Sequence, residues 1–255
     1  MSVFVDPKGN EEQPEETTKK RHAYLSQLKK RWIGSGFSKM LGDLMVLLKA
    51  VGAADYNGAT EEYCSEHCLR LKAVREIRQL RQQLANAVSL ATSSDEVLIN
   101  PETPPPNELQ CKLILQIVLC CVGTKIARKI PHSVAAASKQ KSSLRHAYQT
   151  QSLEQLVYIH PNSALFQEEP EYILYQELFE GNKIYCRNVI EIQPAWIPKF
   201  LPQYCAFAKP DDTTEPIYDD KTGTVLCQLP SVFGTKLQIE TALRSCFPSK
   251  FKAAI

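Results

Sequence analysis

The chain has 255 residues, of which 44% are hydrophobic and 23% charged, and its formal net charge is +2. This composition is that of a folded protein with one or two domains, and it excludes a largely disordered chain. No apolar run approaches the roughly 18–20 residues of a membrane-spanning helix. Residues 1–7 also lack the basic start and apolar core of a signal peptide.

The first 130 residues have a helical pattern after an acidic start. Residues 1–18 are predicted to be a disordered tail, because the stretch from Gly9 to Glu16 is polar, acidic and interrupted by proline. A helix is predicted from an N-cap at Thr17 or Thr18 through Trp32, ended by the glycines at 34 and 36. The stretch 37–51 has a broad apolar face, which predicts a buried helix closed by Gly52.

Two further helices complete this region. The stretch 61–91 is predicted to be one long helix with an apolar stripe accompanied by arginines. The proline-rich stretch 101–106 predicts an extended loop, and Asn107 is a good N-cap for an apolar helix running toward Arg128. Residues 17–130 are therefore predicted to be all-helical, with about five helices.

The pattern changes after a short basic segment. The stretch 133–143 is small, polar and basic, and is predicted to be a connector between domains. The stretches 157–166, 172–178 and 183–189 are rich in β-branched and aromatic residues and predict strands, with two more at 225–227 and 231–233. A short helix is predicted at 196–204. Five short strands with one inserted helix fit a small Greek-key barrel.

The stretch from Lys183 alternates with a period of two. Ile184, Cys186, Ile190 and Ile192 fall on one face of the predicted strand, and the opposite face carries Lys183, Tyr185, Arg187 and Glu191. An outward tyrosine between lysine and arginine suits a nucleic-acid backbone with a stacked base. The alternative is an ordinary solvated strand face, and the period alone does not separate the two.

Positive charge is clustered more strongly than the net charge suggests. Between Leu109 and Leu153 no Asp or Glu occurs, and the seven basic residues are Lys112, Lys125, Arg128, Lys129, Lys139, Lys141 and Arg145. Further basic clusters lie at 19–21 and 29–31. Such clusters favour polyanions and salt-dependent binding, although they also serve simply to solubilise helix ends.

The sequence shows no catalytic or metal-binding constellation. It lacks a GxxxxGK[ST] phosphate-binding loop, so the chain is not expected to hydrolyse a nucleotide unaided. Cys64 and Cys68 flank His67, but a structural zinc needs a second ligand pair, so they are interpreted as core or half-buried thiols. His160, before Pro161, is interpreted as a hydrogen-bonded structural histidine. The odd total of nine cysteines indicates thiols in a reducing compartment.

Several motifs resemble the C-terminal region of DEAH-box RNA helicases. The OB-fold of that family is matched by Val157-Tyr158-Ile159-His160-Pro161-x-Ser163-x-Leu165-Phe166, Tyr175-Gln176-Glu177, Lys183-x-Tyr185-x-Arg187-x-Val189, Trp196 and Pro202-x-Tyr204. Its ratchet-like helical domain is matched by Gly42-Asp43-Leu44, Tyr63-Cys64-x-Glu66-x-x-Leu69-Arg70 and the arginine-rich stretch 77–84. The matches cover residues 36–235 and are most similar to the branch that acts on the small-subunit pre-ribosome in the nucleolus.

The chain also departs from the family pattern. Leu44 stands where the family has histidine, Glu180-Gly181-Asn182 replaces a threonine-rich approach to Lys183, and residues 234–255 do not follow the pattern. The RecA-like motor domains and the winged helix are absent. The expectation is therefore that the chain is a C-terminal piece, a split gene product or an alternative form.

The resemblance implies an α+β, multidomain organisation. It comprises a tail at 1–18, a ratchet-like helical domain at 19–131, a basic connector at 132–144 and an OB-fold barrel at 145–255. The chain would be an RNA-binding accessory module for pre-rRNA processing in the nucleus and nucleolus. The implied RNA-binding residues are Lys183, Tyr185, Arg187, Arg145 and Lys141.

The resemblance also implies ligands and partners. ATP and Mg²⁺ would belong to the parent helicase and not to this chain, and no metal site is predicted here. The expected partners are single-stranded RNA or pre-rRNA, the helicase motor domains and a helicase-activating protein, without a membrane. A competing interpretation is a protein-docking module that binds an acidic partner, with RNA contact incidental. An independent enzyme is a third alternative, for which no site is visible.

Overall fold

The computed structural model describes residues 3–5, 15–92, 99–131, 144, 146–208, 216–219, 224–235 and 237–245. Helices dominate the first half of the chain. In that half they are α1 Glu15–Ile33, α2 Gly36–Met40, α3 Gly42–Tyr56, α4 Glu61–Glu66, α5 Leu71–Thr92 and α6 Glu108–Val122. A short helix, α7 Trp196–Phe200, lies further along the chain. The predicted helical first half is thus confirmed in outline, with differences at the helix ends.

Two predicted helices are each divided in the structure. The predicted helix 37–51 is split into α2 and α3, because Gly42, the first residue of α3, adopts a φ of 48°. Helix α3 then passes through Gly52 and ends at Tyr56, so the predicted stop at Gly52 is wrong. The predicted helix 61–91 is interrupted between α4 and α5, where Cys68 adopts a φ of 55°.

Helix α6 begins as predicted and ends early. The Asn107 side chain accepts from the backbone N–H of Gln110, whose side chain in turn accepts from the Asn107 backbone N–H, which confirms the N-cap. The helix ends at Val122, and the chain enters a strand at Ile126. The prediction of helix up to residue 130 is therefore wrong at its end, because Ile126 is a fully buried strand residue.

Part of the predicted tail is packed on the helices. Residues 3–5 pair with the turn between α4 and α5: the Val5 N–H donates to the Cys68 carbonyl and the Arg70 N–H donates to the Val3 carbonyl, both at 2.9 Å. Phe4 is buried beside Trp32, with ring centroids 6.4 Å apart. The prediction of disorder is wrong for these residues and also for residues 15–18, which lie in α1, so the predicted N-cap at Thr17 or Thr18 is wrong too. Residues 1–2 and 6–14 lie outside the described part.

The first sheet contains strands from both sides of the predicted connector. They are β1 Ile126–Lys129, β2 Tyr148–Thr150, β3 Val157–Ile159, β4 Tyr172–Leu174, β5 Glu177–Glu180, β6 Ile184–Arg187 and β7 Ile190–Glu191. Their order is β5-β6-β3-β2-β1-β4-β7, and only the β3–β6 pair among them is parallel. Strand β4 pairs with β7, and β5 pairs with β6. The two pairs share one hairpin register, since Leu174 lies opposite Ile190 and Glu177 lies opposite Arg187.

The predicted α+β fold class is confirmed, and the structure is consistent with an OB-fold. Strands β5 and β7, at the ends of the first sheet, do not pair with each other, so the described sheet does not close as the predicted barrel. Two of the five predicted barrel strands also belong elsewhere. Residues 225–227 and 231–233 lie in one long strand of a second sheet, because the first sheet draws on β1 and β2 instead.

The second sheet follows the short helix predicted at 196–204, which the structure confirms as α7 and a 3₁₀ turn, Pro202–Tyr204. Its strands are β8 Cys205–Phe207, β9 Pro216–Asp219, β10 Thr224–Phe233 and β11 Leu237–Ser245. The order is β11-β10-β8, and β9 also pairs with β10. This sheet includes residues that do not follow the family pattern, up to Ser245.

Three larger clusters of buried side chains hold the described helices and sheets together, beside a small one of Cys227 and Leu229. One lies within the helices and includes Phe4, and a second fills the inner side of the first sheet around Tyr148 and Cys186. A third joins α3, α6 and α7 to both sheets through residues such as Met45, Leu115 and Phe233. Among the helices described here, none is both long and apolar enough to cross a bilayer.

Candidate nucleic-acid interface

Three aromatic side chains lie in one row across strands β5, β6 and β3. Phe179 is the register partner of Tyr185, and Tyr185 is the register partner of Tyr158. Because register partners point to the same side of a sheet, the three rings share one face. Phe179 is 42% exposed, while Tyr158 and Tyr185 are half-buried. The structure therefore places the predicted outward Tyr185 in the middle of an aromatic row.

The alternation predicted from Lys183 onward is confirmed in part, since Ile184 of the predicted inward face is only half-buried. Cys186, Ile190 and Ile192 are buried, and burial raises the pKa of the Cys186 thiol to about 12. Lys183 is exposed and Arg187 is half-buried. The predicted single strand is divided, however, because Asn188 adopts a φ of 52° between β6 and β7.

Two cations rest on the aromatic row. The Lys183 Nζ lies 4.0 Å from the centroid of the Tyr158 ring, and the Arg187 guanidinium carbon lies 3.8 Å from that of Phe179. Both distances are within the range of cation–π attraction. This attraction holds the Lys183 and Arg187 side chains against the rings. The nearest carboxylate oxygen of Glu177 is 3.9 Å from Arg187, so that charge is only weakly paired. Ordered cations beside exposed rings are the elements of a single-strand binding surface.

His160 joins this surface from the end of β3. Its ring stands edge-on to Tyr185 and Phe179, with centroids 5.5 and 6.2 Å away. The Asn162 backbone N–H donates to the His160 Nδ1 at 3.1 Å, which agrees with the interpretation of a hydrogen-bonded structural histidine. We call Tyr158, His160, Phe179, Lys183, Tyr185 and Arg187 the aromatic–basic face.

The aromatic–basic face borders a cleft between the helices and the first sheet. The cleft has a volume of about 930 Å³ and includes His160 and Arg187 in its wall. Its other cationic lining residues are Lys29, Lys30, Arg70 and Lys125, against the acidic Asp43 and Glu177. Burial lowers the pKa of Lys29, and Asp43 opposes that effect. A cleft with five Lys and Arg side chains and two carboxylates favours an anionic ligand.

The floor of the cleft is held by Asp43 in the first turn of α3. Its two carboxylate oxygens accept the backbone N–H groups of Ala164 at 2.7 Å and Val189 at 2.8 Å. Gly42 allows this close approach, since a Cβ there would lie 2.6 Å from both the Leu165 side chain and the Val189 carbonyl. We call Gly42, Asp43, Ala164, Leu165 and Val189 the helix–sheet junction.

Lysines of α1 and α2 contact the loop from residue 160 to residue 169, which includes Ala164 and Leu165 of the helix–sheet junction. The Lys29 Nζ donates to the Asn162 carbonyl and the Lys30 Nζ donates to the Gln167 side chain, both at 2.6 Å. Lys39 forms an ion pair with Glu168 at 2.6 Å. The helices thereby fix the loop from residue 160 to residue 169 relative to the aromatic–basic face.

The structure places some of the predicted RNA-binding residues together. Lys183, Tyr185 and Arg187 share one face, as expected from their spacing, whereas Lys141 and Arg145 lie outside the described residues. Sequence reasoning missed Tyr158, Phe179 and Lys29. Tyr158 and Phe179 lie on other strands, so only the strand pairing brings them to Tyr185.

The cysteine interpretation is confirmed. Cys64 is buried and Cys68 is half-buried, and burial raises the pKa of the Cys64 thiol. Within the described stretches, no group of three or more His, Cys, Asp or Glu side chains is arranged to hold a metal ion.

Comparison with known proteins identifies close relatives of the chain. A family model described as an oligonucleotide/oligosaccharide-binding (OB)-fold matches residues 114–204. The probable ATP-dependent RNA helicase DHX37 of Homo sapiens is 42% identical over 215 residues, which are 84% of this chain and 18% of that protein. The probable ATP-dependent RNA helicase kurz of Drosophila melanogaster is 35% identical over 211 residues, 80% of this chain and 18% of that protein. The chain thus spans about a fifth of the length of these relatives.

Proposed function

Because the chain belongs to the family of DHX37 and related ATP-dependent RNA helicases, we propose that it is an RNA-binding accessory module of such a helicase, of the DEAH-box type. The aromatic–basic face binds single-stranded RNA, and motor domains of the complete helicase bind ATP and Mg²⁺. The chain has no phosphate-binding loop of the motor type, so its residues do not fit ATP and take no step in its hydrolysis.

The observation that carries this proposal is the aromatic row with its two cations. Exposed rings such as Phe179 offer stacking surfaces to bases of any sequence. Lys183 and Arg187, each ordered by a ring, supply positive charge for the phosphates between those bases. The face therefore suits a strand that is held without sequence readout, as a translocating helicase requires.

The neighbouring cleft extends the proposed path. His160 and Arg187 belong to both surfaces, so a strand leaving the aromatic row passes next to Lys29 and Lys125. Among the described residues the Lys29 ammonium donates one N–H, to the Asn162 carbonyl, which leaves two of its three N–H groups for phosphate oxygens. The cleft supports a footprint longer than the three aromatic rings.

Two exposed apolar helix faces suit the proposed protein partners, the motor domains and an activating protein. On α5, Leu80, Leu84 and Val88 are at least 50% exposed. On α6, the exposed side chains are Leu109 at 66%, Leu113 at 48% and Ile117 at 61%. Contiguous exposed apolar side chains on a helix favour a protein interface.

The cleft also suits the second candidate, a module that docks an acidic protein partner, because its lining is mainly cationic. The work of the complete helicase on pre-rRNA in the nucleolus is a further part of the proposal. Imaging of the tagged chain together with pre-rRNA immunoprecipitation tests that part.

A salt titration separates RNA binding from acidic-peptide binding. We expect the full chain to bind a uridine oligomer, and Lys183→Ala/Arg187→Ala to reduce the salt slope by about 1.4. Lys72→Ala/Lys199→Ala, which removes two exposed charges elsewhere, is the matched control and should leave the slope less changed. Unchanged affinity and slope in the first variant, or tighter binding to a polyglutamate peptide than to RNA, contradicts the proposal.

A further inference from the structure

We infer that His160 is a ribose contact: its Nε2–H donates to the 2′-hydroxyl of a nucleotide on the aromatic–basic face, which makes binding selective for RNA over DNA. The inference rests on the proposed RNA-binding function and adds the chemical group that is recognised. It also gives His160 a role beyond the loop that it stabilises.

The loop geometry fixes which nitrogen of His160 carries the proton. The Asn162 backbone N–H donates to Nδ1 at 3.1 Å, and a ring nitrogen that accepts a hydrogen bond is unprotonated. The neutral imidazole therefore has its proton on Nε2. Burial favours this neutral form by lowering the pKa of His160, and the positive charges of Arg187 and Lys29 act in the same direction against Asp43.

The Nε2–H donor is held in place and is available to a ligand. Tyr185 and Phe179 stand edge-on around the ring, and the Lys29 ammonium anchors the Asn162 carbonyl two residues away. Among the described residues, no protein group accepts a hydrogen bond from Nε2, and His160 forms part of the cleft wall. An ordered donor without an acceptor among the described residues, on a side chain that lines a binding cleft, is suited to a ligand acceptor.

The position of His160 matches the sugar of a bound nucleotide. The rings of Tyr185 and Phe179 provide the stacking surface for bases, and Arg187 and Lys29 in the cleft provide charge for phosphates. In a nucleic acid the ribose lies between base and phosphate, and His160 is close to both sets of side chains: its ring contacts Tyr185 and Phe179, and the charges of Arg187 and Lys29 act on it.

The chemistry of the donor also favours a hydroxyl. A neutral N–H forms a hydrogen bond of ordinary strength with the 2′-hydroxyl, whereas the surrounding lysines and arginines are better donors for phosphate. The 2′-hydroxyl is the group that distinguishes RNA from DNA at a given site. Loss of this contact should therefore weaken RNA binding and leave DNA binding unchanged.

Two substitutions separate the ligand contact from the role of His160 in the loop. In His160→Asn, the side-chain oxygen can accept the Asn162 N–H as in an Asx-turn, but no donor reaches the position of Nε2. In His160→Gln, the longer amide can place an N–H near the Nε2 position, but the Asn162 N–H loses its acceptor. The first variant should keep the wild-type melting temperature, and the second should lower it.

The test is fluorescence anisotropy of the full chain with a uridine oligomer of about ten nucleotides and its 2′-deoxy counterpart. We expect wild type to bind the RNA about fivefold more tightly than the DNA. His160→Asn should bind both oligomers with the affinity that wild type has for the DNA oligomer. Its salt slope and its melting temperature should equal those of wild type. His160→Gln should retain part of the preference for RNA.

The opposite results are equally clear. If His160→Asn keeps the preference for RNA, or loses affinity for RNA and DNA by the same factor, His160 does not read the ribose. If wild type binds the RNA and His160→Asn gives either of these results, this inference is overturned and the proposed function remains intact. If wild type binds neither oligomer, both are overturned.

Discussion

The aromatic–basic face and the helix–sheet junction meet at the loop that begins with His160, yet they are built in opposite ways. On the face, Phe179 and Lys183 are exposed. The Phe179 ring contacts the His160 ring, and Lys183 lies over the Tyr158 ring. In the junction, the Asp43 carboxylate accepts two backbone N–H groups, and Gly42 lies in contact with buried groups. The difference separates a surface for binding from a contact for stability, so substitutions in the two regions should affect different measurements.

The largest effect is expected from Gly42→Ala. The new Cβ would lie 2.6 Å from the Val189 carbonyl, in a residue whose φ is 48°, so both the clash and the backbone strain oppose folding. We expect a loss of about 3 kcal/mol in the free energy of unfolding, measured by urea denaturation.

The control for this substitution lies ten residues further along the chain. Gly52 is an exposed glycine within α3, and a Cβ there would meet nothing within 4 Å. Gly52→Ala should therefore increase stability by about 0.5–1 kcal/mol, as in an ordinary helix. Equal effects of the two substitutions would show that the junction has no special packing.

Asp43→Asn should have the next largest effect on stability. The asparagine has one acceptor where the carboxylate has two, so the N–H of Ala164 or Val189 faces an amide NH₂. We expect a loss of about 2 kcal/mol in the urea assay. Glu62→Gln, an exposed carboxylate in the first turn of α4, should change stability by less than about 0.5 kcal/mol. Similar losses in both variants would contradict the role of Asp43.

Tyr185→Ala should change binding more than stability. The ring lies in the middle of the aromatic row, and loss of one stacking ring weakens single-strand binding by about tenfold. Tyr185→Phe keeps the ring and loses only the hydrogen bond from its hydroxyl to Asn182, so its affinity should remain close to wild type. Anisotropy with the uridine oligomer gives the affinities, and an equal loss in both variants would argue against stacking.

The smallest expected effect is a pH dependence of stability due to His160. Its pKa in the folded chain is lower than the ordinary value of 6.5, so the unfolded chain takes up the proton first as the pH falls. Stability should therefore decrease as the pH falls below 6.5, until the folded chain is protonated too. Urea midpoints measured across this range should fall less in His160→Asn than in wild type, and parallel profiles would exclude His160 as the cause.

The sequence was sufficient where the determinants are local. The period of two from Lys183 predicts which of its residues face outward, and Asn107 predicts the start of α6 through its capping interaction. The motifs at 157–166 and 183–189 also predict the OB-type part and the helicase family. These features depend on spacing and side-chain chemistry within a few residues.

The remaining features depend on contacts between distant residues. The row of Phe179, Tyr185 and Tyr158 exists only because β5, β6 and β3 pair in a particular register. The exchange of predicted strands between the two sheets has the same origin, since Ile126 is buried in the first sheet although it follows a strongly helical stretch. Gly42 and Asp43 likewise acquire their roles from residues more than 120 positions away.

Photocrosslinking of a 4-thiouridine oligomer to the full chain tests the central claim most directly. Mass spectrometry of the digested complex should find the crosslinks on the strands of the aromatic–basic face, at Tyr158, Phe179 and Tyr185. Crosslinks confined to the exposed faces of α5 and α6, with none on these strands, would contradict the account.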